Sequence, residues 1–163
     1  MSFDHSGQKV VITGAGSGIG RATALRLASE GAAVAVWDID PEGSQETVTL
    51  VQGEGAQAMA CTVDVRDRAT IQAALAATTE RFGHVTQLVN NAGLVTMTGL
   101  DDLTEDEWDL VLDVNLKGMW LVTQEVSRSI GRAGGGAVVN LSTVESQVVV
   151  SSTGSAQVHY NAS

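Results

Sequence analysis

The chain has 163 residues, a formal net charge of −10 and no cluster of Lys or Arg, which argues against a nucleic-acid partner because that binding depends on neutralising phosphates. Its single cysteine excludes an internal disulfide, and its three histidines lack metal-ligand spacing. We expect no metal site, and a cytoplasmic location because neither a signal peptide nor the ~20 apolar residues of a membrane span are visible.

The first predicted elements flank a glycine-rich loop. TGAGSGIG at residues 13–20 follows an apolar strand at residues 9–13 and opens a helix at residues 19–31. The apolar positions at helical spacing are Ile19, Ala22, Leu25 and Ala28.

The spacing of the glycines is G-x-x-x-G-x-G, with Gly14, Gly18 and Gly20 as required members and Gly16 as an extra. The common G-x-G-x-x-G fingerprint does not fit. The free N–H groups and the positive dipole at a helix start favour a pyrophosphate, and glycine lets the backbone come close to it. The alternative is a glycine-rich turn without a ligand.

The remaining chain alternates strands and helices. We predict strands at residues 32–40, 56–65, 85–93 and 137–143, and helices at residues 41–55, 66–83 and 105–133. In the last helix, Thr104 and Glu107 form a capping box, so we interpret the surrounding acidic run as a helix start rather than a cation site.

Five apolar strands separated by four helices predict a doubly wound parallel α/β sheet, that is, a single Rossmann-like domain over residues 1–163. Ligands of such sheets bind at the carboxyl ends of the strands. The residues at those ends are the glycine loop, Asp38, Asp64, Asn90, Asn91, Gly93, Ser142 and Thr143.

Asp38 comes 18 positions after Gly20, close to the spacing at which an acid accepts hydrogen bonds from an adenosine ribose. A carboxylate there repels a 2′-phosphate, and Ser17 offers no cation for one. Both features favour NAD over NADP. The alternative for Asp38 is a strand-end turn residue, and Asp40 is expected to cap the next helix.

Seven motifs in series resemble the short-chain dehydrogenase/reductase family over nearly the whole chain. They are TGAGSGIG, Asp38, DV at Asp64 and Val65, NNAG at residues 90–93, Asn115 in DVNLKG, NLST at residues 140–143, and YNAS from Tyr160.

The resemblance implies a role for each position in binding the coenzyme. The pyrophosphate would contact the glycine loop, the adenosine ribose Asp38, and the adenine Asp64 with Val65, while NNAG would pass beneath the cofactor. The complete expected set is Gly14, Ser17, Gly18, Ile19, Gly20, Asp38, Ile39, Asp64, Val65, Asn91, Ala92 and Gly93.

The resemblance also implies the catalytic residues for hydride transfer between nicotinamide and an alcohol or ketone. Tyr160 would be the general acid/base, and Asn115 would hold a water in the proton relay. Thr143 aligns with the family's serine, Ser142 is the second choice, and Ser146 is within reach if the turn is unusual. A phenol with a pKa of about 10 needs a neighbouring cation to act as a base.

The sequence departs from the family pattern near its end. It stops at Ser163, one residue before the lysine of Y-x-x-x-K, so we expect it to be the amino-terminal portion of a longer enzyme, with the domain incomplete at its carboxyl end. We expect residues 148–159 to form an enlarged loop beside the substrate. His159 is expected to be a surface loop residue, and the alternative is that it contacts the substrate.

The partners implied are a small alcohol or ketone and further copies of the chain, as a homodimer or homotetramer. Association would use the long helix around Met119, Trp120 and Leu121. A non-catalytic NAD-binding sensor or scaffold is the main alternative to an enzyme. A methyltransferase shares the glycine loop but is not expected to carry NNAG or the pair of Asn115 and Tyr160.

Overall fold

The computed structural model describes residues 3–147 and 156–163, and within them five parallel strands form one sheet in the order β3-β2-β1-β4-β5. The strands are β1 Lys9–Thr13, β2 Ala33–Asp38, β3 Ala58–Thr62, β4 Gln87–Asn90 and β5 Ala137–Asn140. The helices are α1 Gly18–Ser29, α2 Pro41–Gly53, α3 Arg68–Phe82, α4 Glu105–Leu112, α5 Met119–Arg132 and α6 Val158–Ala162. The predicted fold class is confirmed.

The sheet is covered on both faces by helices. Alternate residues of β1 belong to different cores: Val11 packs with α3 and α5, whereas Val10 and Ile12 pack with α1 and α2. This alternation follows from the two-residue period of a strand. The central strands β1 and β2 are therefore apolar in nearly unbroken runs, as strands buried on both sides require.

The buried side of α1 differs from the predicted one. Ile19 is exposed, and the buried positions are Gly20, Ala24 and Ala28. A Cβ at position 20 would overlap the carbonyl oxygen of Gly14. Helix α1 therefore packs closely through its smallest side chains, which a count of large apolar residues cannot detect.

The long helix predicted at residues 105–133 is continuous but not uniform. Residues Asp113–Gly118, between α4 and α5, wind as a π-helix. Within this segment the Asn115 side chain accepts a hydrogen bond from the Leu94 N–H and donates one to the Leu94 carbonyl oxygen, both at 2.9 Å. The wider turn lets this side chain reach a neighbouring loop, a feature that often accompanies functional sites.

The fifth strand is shorter than predicted and ends at Asn140, so residues 141–143 lie in a loop. All four residues of β5 are exposed. A short 3₁₀ turn, Val144–Ser146, follows. Most of the predicted enlarged loop, residues 148–155, lies outside the described residues, and its last two residues begin α6.

Gly136, immediately before β5, permits a close backbone approach. A Cβ there would overlap the carbonyl oxygen of Thr86, which accepts a hydrogen bond from the Ala137 N–H at 3.1 Å. We expect Gly136→Ala to lower the free energy of unfolding by about 1–3 kcal/mol, since the neighbouring backbone must move. Urea denaturation of the full-length protein measures the change.

Gly131→Ala is the matched control, because nothing lies within 4 Å of a Cβ at this position in α5. Alanine should stabilise that helix by up to about 1 kcal/mol. Equal stability of the two variants would contradict the close approach at Gly136.

Candidate functional site

A cleft of about 730 Å³ lies at the carboxyl ends of the strands, where residues following β1 and β4 face each other. The order of the strands reverses at this point, which is where doubly wound sheets bind ligands. The cleft contains eleven of the twelve predicted cofactor residues: Gly14, Ser17, Gly18, Ile19, Asp38, Ile39, Asp64, Val65, Asn91, Ala92 and Gly93.

Gly20, the twelfth predicted residue, does not line the cleft. A side chain there would meet Gly14 and the Asn91 side chain. A glycine at this position therefore permits the close packing of the loop. Gly16 is not required by the glycine pattern of the sequence, but the structure explains it. A Cβ at this position would lie 2.9 Å from Asp38 Oδ2, closer than normal contact allows.

The first turn of α1 carries no acidic residue, and the side chain of its N-cap residue, Ser17, makes no capping hydrogen bond. By contrast, Asp40, Asp67 and Thr104 cap α2, α3 and α4 with their side chains. The predicted capping box of Thr104 and Glu107 is present at the start of α4. Helix α1 thus begins at the cleft with its positive dipole end uncompensated by a side chain, an arrangement that favours an anion.

Asp38 lies at the end of β2 and its carboxylate is bound from two sides. Its Oδ2 accepts a hydrogen bond from the Gly16 N–H at 2.8 Å, and its Oδ1 accepts one from the Asp40 N–H at 3.0 Å. An ionised carboxylate accepts about four hydrogen bonds. Asp38 is therefore fixed in orientation and retains capacity for hydroxyl donors.

Arg21 lies beside the same loop, but its guanidinium is already bound. It donates to Glu46 Oε2 at 2.7 Å, to Thr47 Oγ1 at 3.0 Å and to the carbonyl oxygen of Gly16. This arginine therefore links the glycine loop to α2, and its charge is balanced by Glu46.

Asp64, after β3, is paired with Arg66, which also lines the cleft. Arg66 donates from Nε to Asp64 Oδ1 at 2.9 Å and from Nη2 to Oδ2 at 2.6 Å, while its backbone N–H donates to Oδ1 at 2.9 Å. The hydrogen bonds from Arg66 lower the pKa of the Asp64 carboxyl, and Asp64 raises the pKa of Arg66. Sequence reasoning missed Arg66 because an arginine beside a helix start has no distinctive pattern.

Asn91 joins β4 to the glycine loop. Its Nδ2 donates to the carbonyl oxygens of Thr13 at 2.9 Å and Gly14 at 3.0 Å. In return, Thr13 Oγ1 accepts hydrogen bonds from the N–H groups of Asn91 and Ala92, both at 3.0 Å. The side chain of Asn91 therefore links the ends of β1 and β4, which form the floor of the cleft.

A second cavity of about 270 Å³ adjoins the cleft and shares Ile19 and residues 91–94 with it. The four predicted catalytic residues all line this cavity: Asn115, Ser142, Thr143 and Tyr160. The structure thus brings the predicted catalytic residues together, next to the predicted cofactor residues.

Thr143 and Ser142 differ in their surroundings. Thr143 is half-buried, and its Oγ1 accepts a hydrogen bond from the Glu145 N–H at 3.3 Å as the N-cap of the 3₁₀ turn. Ser142 is exposed. Ser146 is also exposed and donates to the Thr143 carbonyl oxygen at 2.7 Å. The better-fixed hydroxyl in the cavity is that of Thr143.

The Asn115 side chain is largely occupied. Besides its two bonds to Leu94, its Nδ2 donates to Ser163 Oγ at 3.0 Å, so both amide hydrogens have acceptors. Ser163 Oγ donates in turn to the Tyr160 carbonyl oxygen at 3.0 Å. Asn115 therefore connects the π-helix with the segment that carries Tyr160.

His159 is the residue whose environment the sequence prediction gets wrong. It is fully buried rather than on the surface, and its Nε2 lies 2.8 Å from Thr96 Oγ1. The residues before it, at 156–158, are apolar or uncharged and give no sign of burial.

Within residues 3–147 and 156–163, no group of three or more His, Cys, Asp or Glu side chains is placed to hold a metal ion. Over the same residues, no helix has the length and apolar character needed to cross a bilayer.

The fold and the cleft define a doubly wound α/β protein with a binding cleft at its topological switch point. Comparison with known proteins identifies the family, because the model for short chain dehydrogenases matches residues 8–163. The chain belongs to the short chain dehydrogenase family.

Individual relatives are similar over most of this chain. D-threitol dehydrogenase of Mycolicibacterium smegmatis is 35% identical over 150 residues, which are 92% of this chain and 58% of that protein. Levodione reductase of Leifsonia aquatica is 39% identical over 138 residues, 83% of this chain and 52% of that protein. The structure of NAD⁺-bound xylitol dehydrogenase matches with a TM-score of 0.90 at 29% identity, covering 96% of this chain and 59% of that one. The chain spans somewhat more than half the length of these relatives.

We expect Arg66→Gln to raise the pKa of Asp64 toward the ordinary value of an aspartic acid. Because the folded-state pKa of Asp64 is lowered, its pairing stabilises the protein above the ordinary aspartate pKa, and this contribution is lost as the pH falls through the folded-state pKa. The pair is partly exposed, so the contribution is at most about 1 kcal/mol. Carbon-13 NMR titration of the Asp64 carboxyl measures the shift.

Lys117→Gln is the control, since it removes the exposed pair of Lys117 with Asp113 and leaves Asp64 with its arginine. An Asp64 titration that is the same in wild type and Arg66→Gln would show that the pairing does not determine its pKa.

Proposed function

We propose that the protein is an NAD-dependent oxidoreductase that transfers hydride between nicotinamide and an alcohol or ketone, with Tyr160 as the general acid/base. The observation that carries this proposal is the adjacency of two sites, namely the cleft of the glycine loop and Asp38, and the cavity of Tyr160 and Thr143, which share Ile19 and residues 91–94. An extended dinucleotide placed with its phosphates at α1 would have one end near each site.

The residues of the cleft fit a dinucleotide. The uncapped start of α1 would bind the pyrophosphate through Ser17, Gly18 and Ile19, and Gly18, with a φ of 52° and open space where a Cβ would lie, leaves the approach of the ligand clear. Asp38 would accept hydrogen bonds from the ribose hydroxyls. The adenine would lie toward Asp64 and Val65. Both oxygens of the Asp64 carboxylate already accept hydrogen bonds from Arg66.

The preference for NAD over NADP rests on charge. A 2′-phosphate on the ribose would face the carboxylate of Asp38, and the charge of Arg21, the cation beside that loop, is balanced by Glu46 at 2.7 Å. Repulsion of the phosphate is therefore not offset at this position.

In the second cavity, the Tyr160 hydroxyl would exchange a proton with the substrate oxygen, and the Thr143 hydroxyl would donate a hydrogen bond to the same oxygen as charge develops there. A bound nicotinamide would accept or supply the hydride. The phenol needs a cation to favour its ionised form, and the family pattern predicts a lysine in the position that follows Ser163. Asn115 would keep the Tyr160 segment in place through Ser163.

Association into a homodimer or homotetramer is part of the proposal and would use the face of the long helix. Leu116 and Trp120 are each more than half exposed, at 51% and 54%, although Leu121 is buried. Large apolar side chains exposed close together favour a protein contact. The cytoplasmic location remains a prediction from composition.

Replacing Asp38 tests the coenzyme preference. We expect Asp38→Asn to weaken NAD binding by about tenfold and to improve NADP binding, because the ribose loses an anionic acceptor and the phosphate loses its repulsion; one charge-assisted hydrogen bond is worth about 1.5–3 kcal/mol. Isothermal titration calorimetry of the full-length protein gives both dissociation constants.

Asp40→Asn is the matched control, since it removes the same charge two residues away and asparagine is an equally good N-cap for α2. The same shift in both variants would mean that net charge, and not contact with the ribose, sets the preference. No heat from NAD with the wild-type protein would refute the proposal itself.

Replacing Tyr160 tests the chemistry. Tyr160→Phe removes only the hydroxyl, so we expect kcat to fall by about 10²–10⁴-fold with little change in NAD affinity. Thr143→Val should lose more activity than Ser142→Ala, because the Thr143 hydroxyl is the one fixed in the cavity. Formation of NADH, followed by its absorbance with a panel of alcohols and polyols, measures the rates. If NAD binds but the wild-type protein oxidises no alcohol and reduces no ketone, a sensor or scaffold role is favoured instead.

A further inference from the structure

Helix α6, which carries Tyr160, has five residues, Val158–Ala162. A helix of this length is not stable by itself, so its position depends on contacts with the rest of the protein. Asn161 Nδ2 donates to the Glu145 carbonyl oxygen at 2.7 Å, and Ser163 contacts Asn115. These polar contacts tie the end of the helix to neighbouring segments.

The one buried residue of α6 is His159. Its side chain has no exposed surface, whereas the adjacent Tyr160 is half-buried and lines the cavity. The two adjacent residues therefore differ in environment: His159 is enclosed in the protein, and Tyr160 lines the cavity of the proposed reaction.

The hydrogen-bond partner of His159 lies in a segment that contributes to the wall of the same cavity. Thr96 lies in the segment between β4 and α4, which also contributes Gly93, Leu94 and Val95 to the cavity lining. Two residues further on, Thr98 Oγ1 donates to Glu107 Oε1 at 2.6 Å, and this bond is the main cause of the lowered pKa of Glu107. The segment therefore contacts α4 through Thr98, and it contacts α6, the helix that carries Tyr160, through Thr96.

Among the described residues, the ring of His159 has one hydrogen-bond partner, the Thr96 hydroxyl. Its Nδ1 is buried without a hydrogen-bond partner among the described residues. A buried N–H without an acceptor is rarer than a buried lone pair without a donor, so the tautomer with Nε2–H donating to Thr96 Oγ1 is favoured. Loss of that one bond would leave both ring nitrogens unpaired.

A leucine at position 159 would bury apolar surface without leaving a polar atom unsatisfied. A histidine held by one bond is a poor choice for stability alone, but the bond fixes the rotation of the ring and hence of the short helix. We propose that His159, through its hydrogen bond to Thr96, is a positioning residue that sets the place of Tyr160 in the cavity. The inference rests on the proposed role of Tyr160 in hydride-transfer chemistry.

Thr96→Val tests the inference without changing α6 itself, because valine has the shape of threonine and lacks the hydroxyl. We expect kcat to fall about ten- to a hundredfold, since small displacements of a catalytic group have effects of that size. The dissociation constant of NAD and the KM of the alcohol should change by less than about threefold, because neither ligand is bound by this hydroxyl. Thr96→Ser should restore most of the activity.

Thr98→Val is the matched control: it removes a hydroxyl from the same segment, but one bonded to Glu107 rather than to His159. Its kcat should equal that of the wild type. His159→Leu should lose as much activity as Thr96→Val, and the double variant should lose no more than either, as expected for two residues that act through one bond. If His159→Leu fails to fold, the comparison of valine with serine at position 96 decides the matter.

The inference is overturned if Thr96→Val lowers the melting temperature while kcat stays at the wild-type value, or if Thr98→Val loses as much activity as Thr96→Val. These results differ from failure of the proposed function, in which the wild-type protein has no NAD-dependent activity or Tyr160→Phe retains it. An inactive Tyr160→Phe together with a fully active Thr96→Val would reject the positioning role alone.

Discussion

The binding cleft depends on one set of hydrogen bonds between two neighbouring strands. β1 and β4 lie side by side, but the chain leaves them toward opposite sides of the sheet, so their ends would separate without a tie. Thr13 and Asn91 supply it: each binds the other's backbone, at 2.9–3.0 Å. The amide of Asn91 also reaches Gly14, which fixes the first residue of the glycine loop. The floor of the cleft between β1 and β4 is therefore rigid, and the glycine loop is held at a fixed distance from it.

Charge in the cleft is arranged by leaving the start of α1 without a side-chain cap. Each of α2, α3 and α4 begins with a side chain that accepts from its own first-turn N–H groups. Helix α1 does not, and the nearest carboxylate, that of Asp38, binds Gly16 in the loop before the helix. The positive end of α1 and the negative Asp38 are thus separated within one cleft. This separation matches a ligand with a phosphate at one point and neutral donors at another.

The sequence predicts the sheet, its parallel order and the cleft because these depend on local patterns, namely apolar runs, glycine spacing and acidic strand ends. It also predicts the caps at Asp40 and Thr104, since capping is a property of a few adjacent residues. What it does not predict depends on contacts between distant segments. The close packing at Gly20 involves Asn91, the π-helix accompanies the contact of Asn115 with Leu94, and the buried His159 is bonded to Thr96. A single sequence shows none of these pairs, because the partners lie far apart in the chain.

The same distinction explains how the two halves of the site differ. The nucleotide cleft is built on strand ends and a long helix, whose positions are set by the core. The cavity of Tyr160 is built on a short helix, a 3₁₀ turn and the segment after β4, none of which has a core of its own. These pieces are joined by single side chains: Asn115 binds the backbone of Leu94 and the hydroxyl of Ser163, and His159 binds Thr96. The geometry of the proposed chemistry therefore depends on a few polar side chains that join these pieces to one another, and substitutions of these residues should affect turnover more than coenzyme affinity.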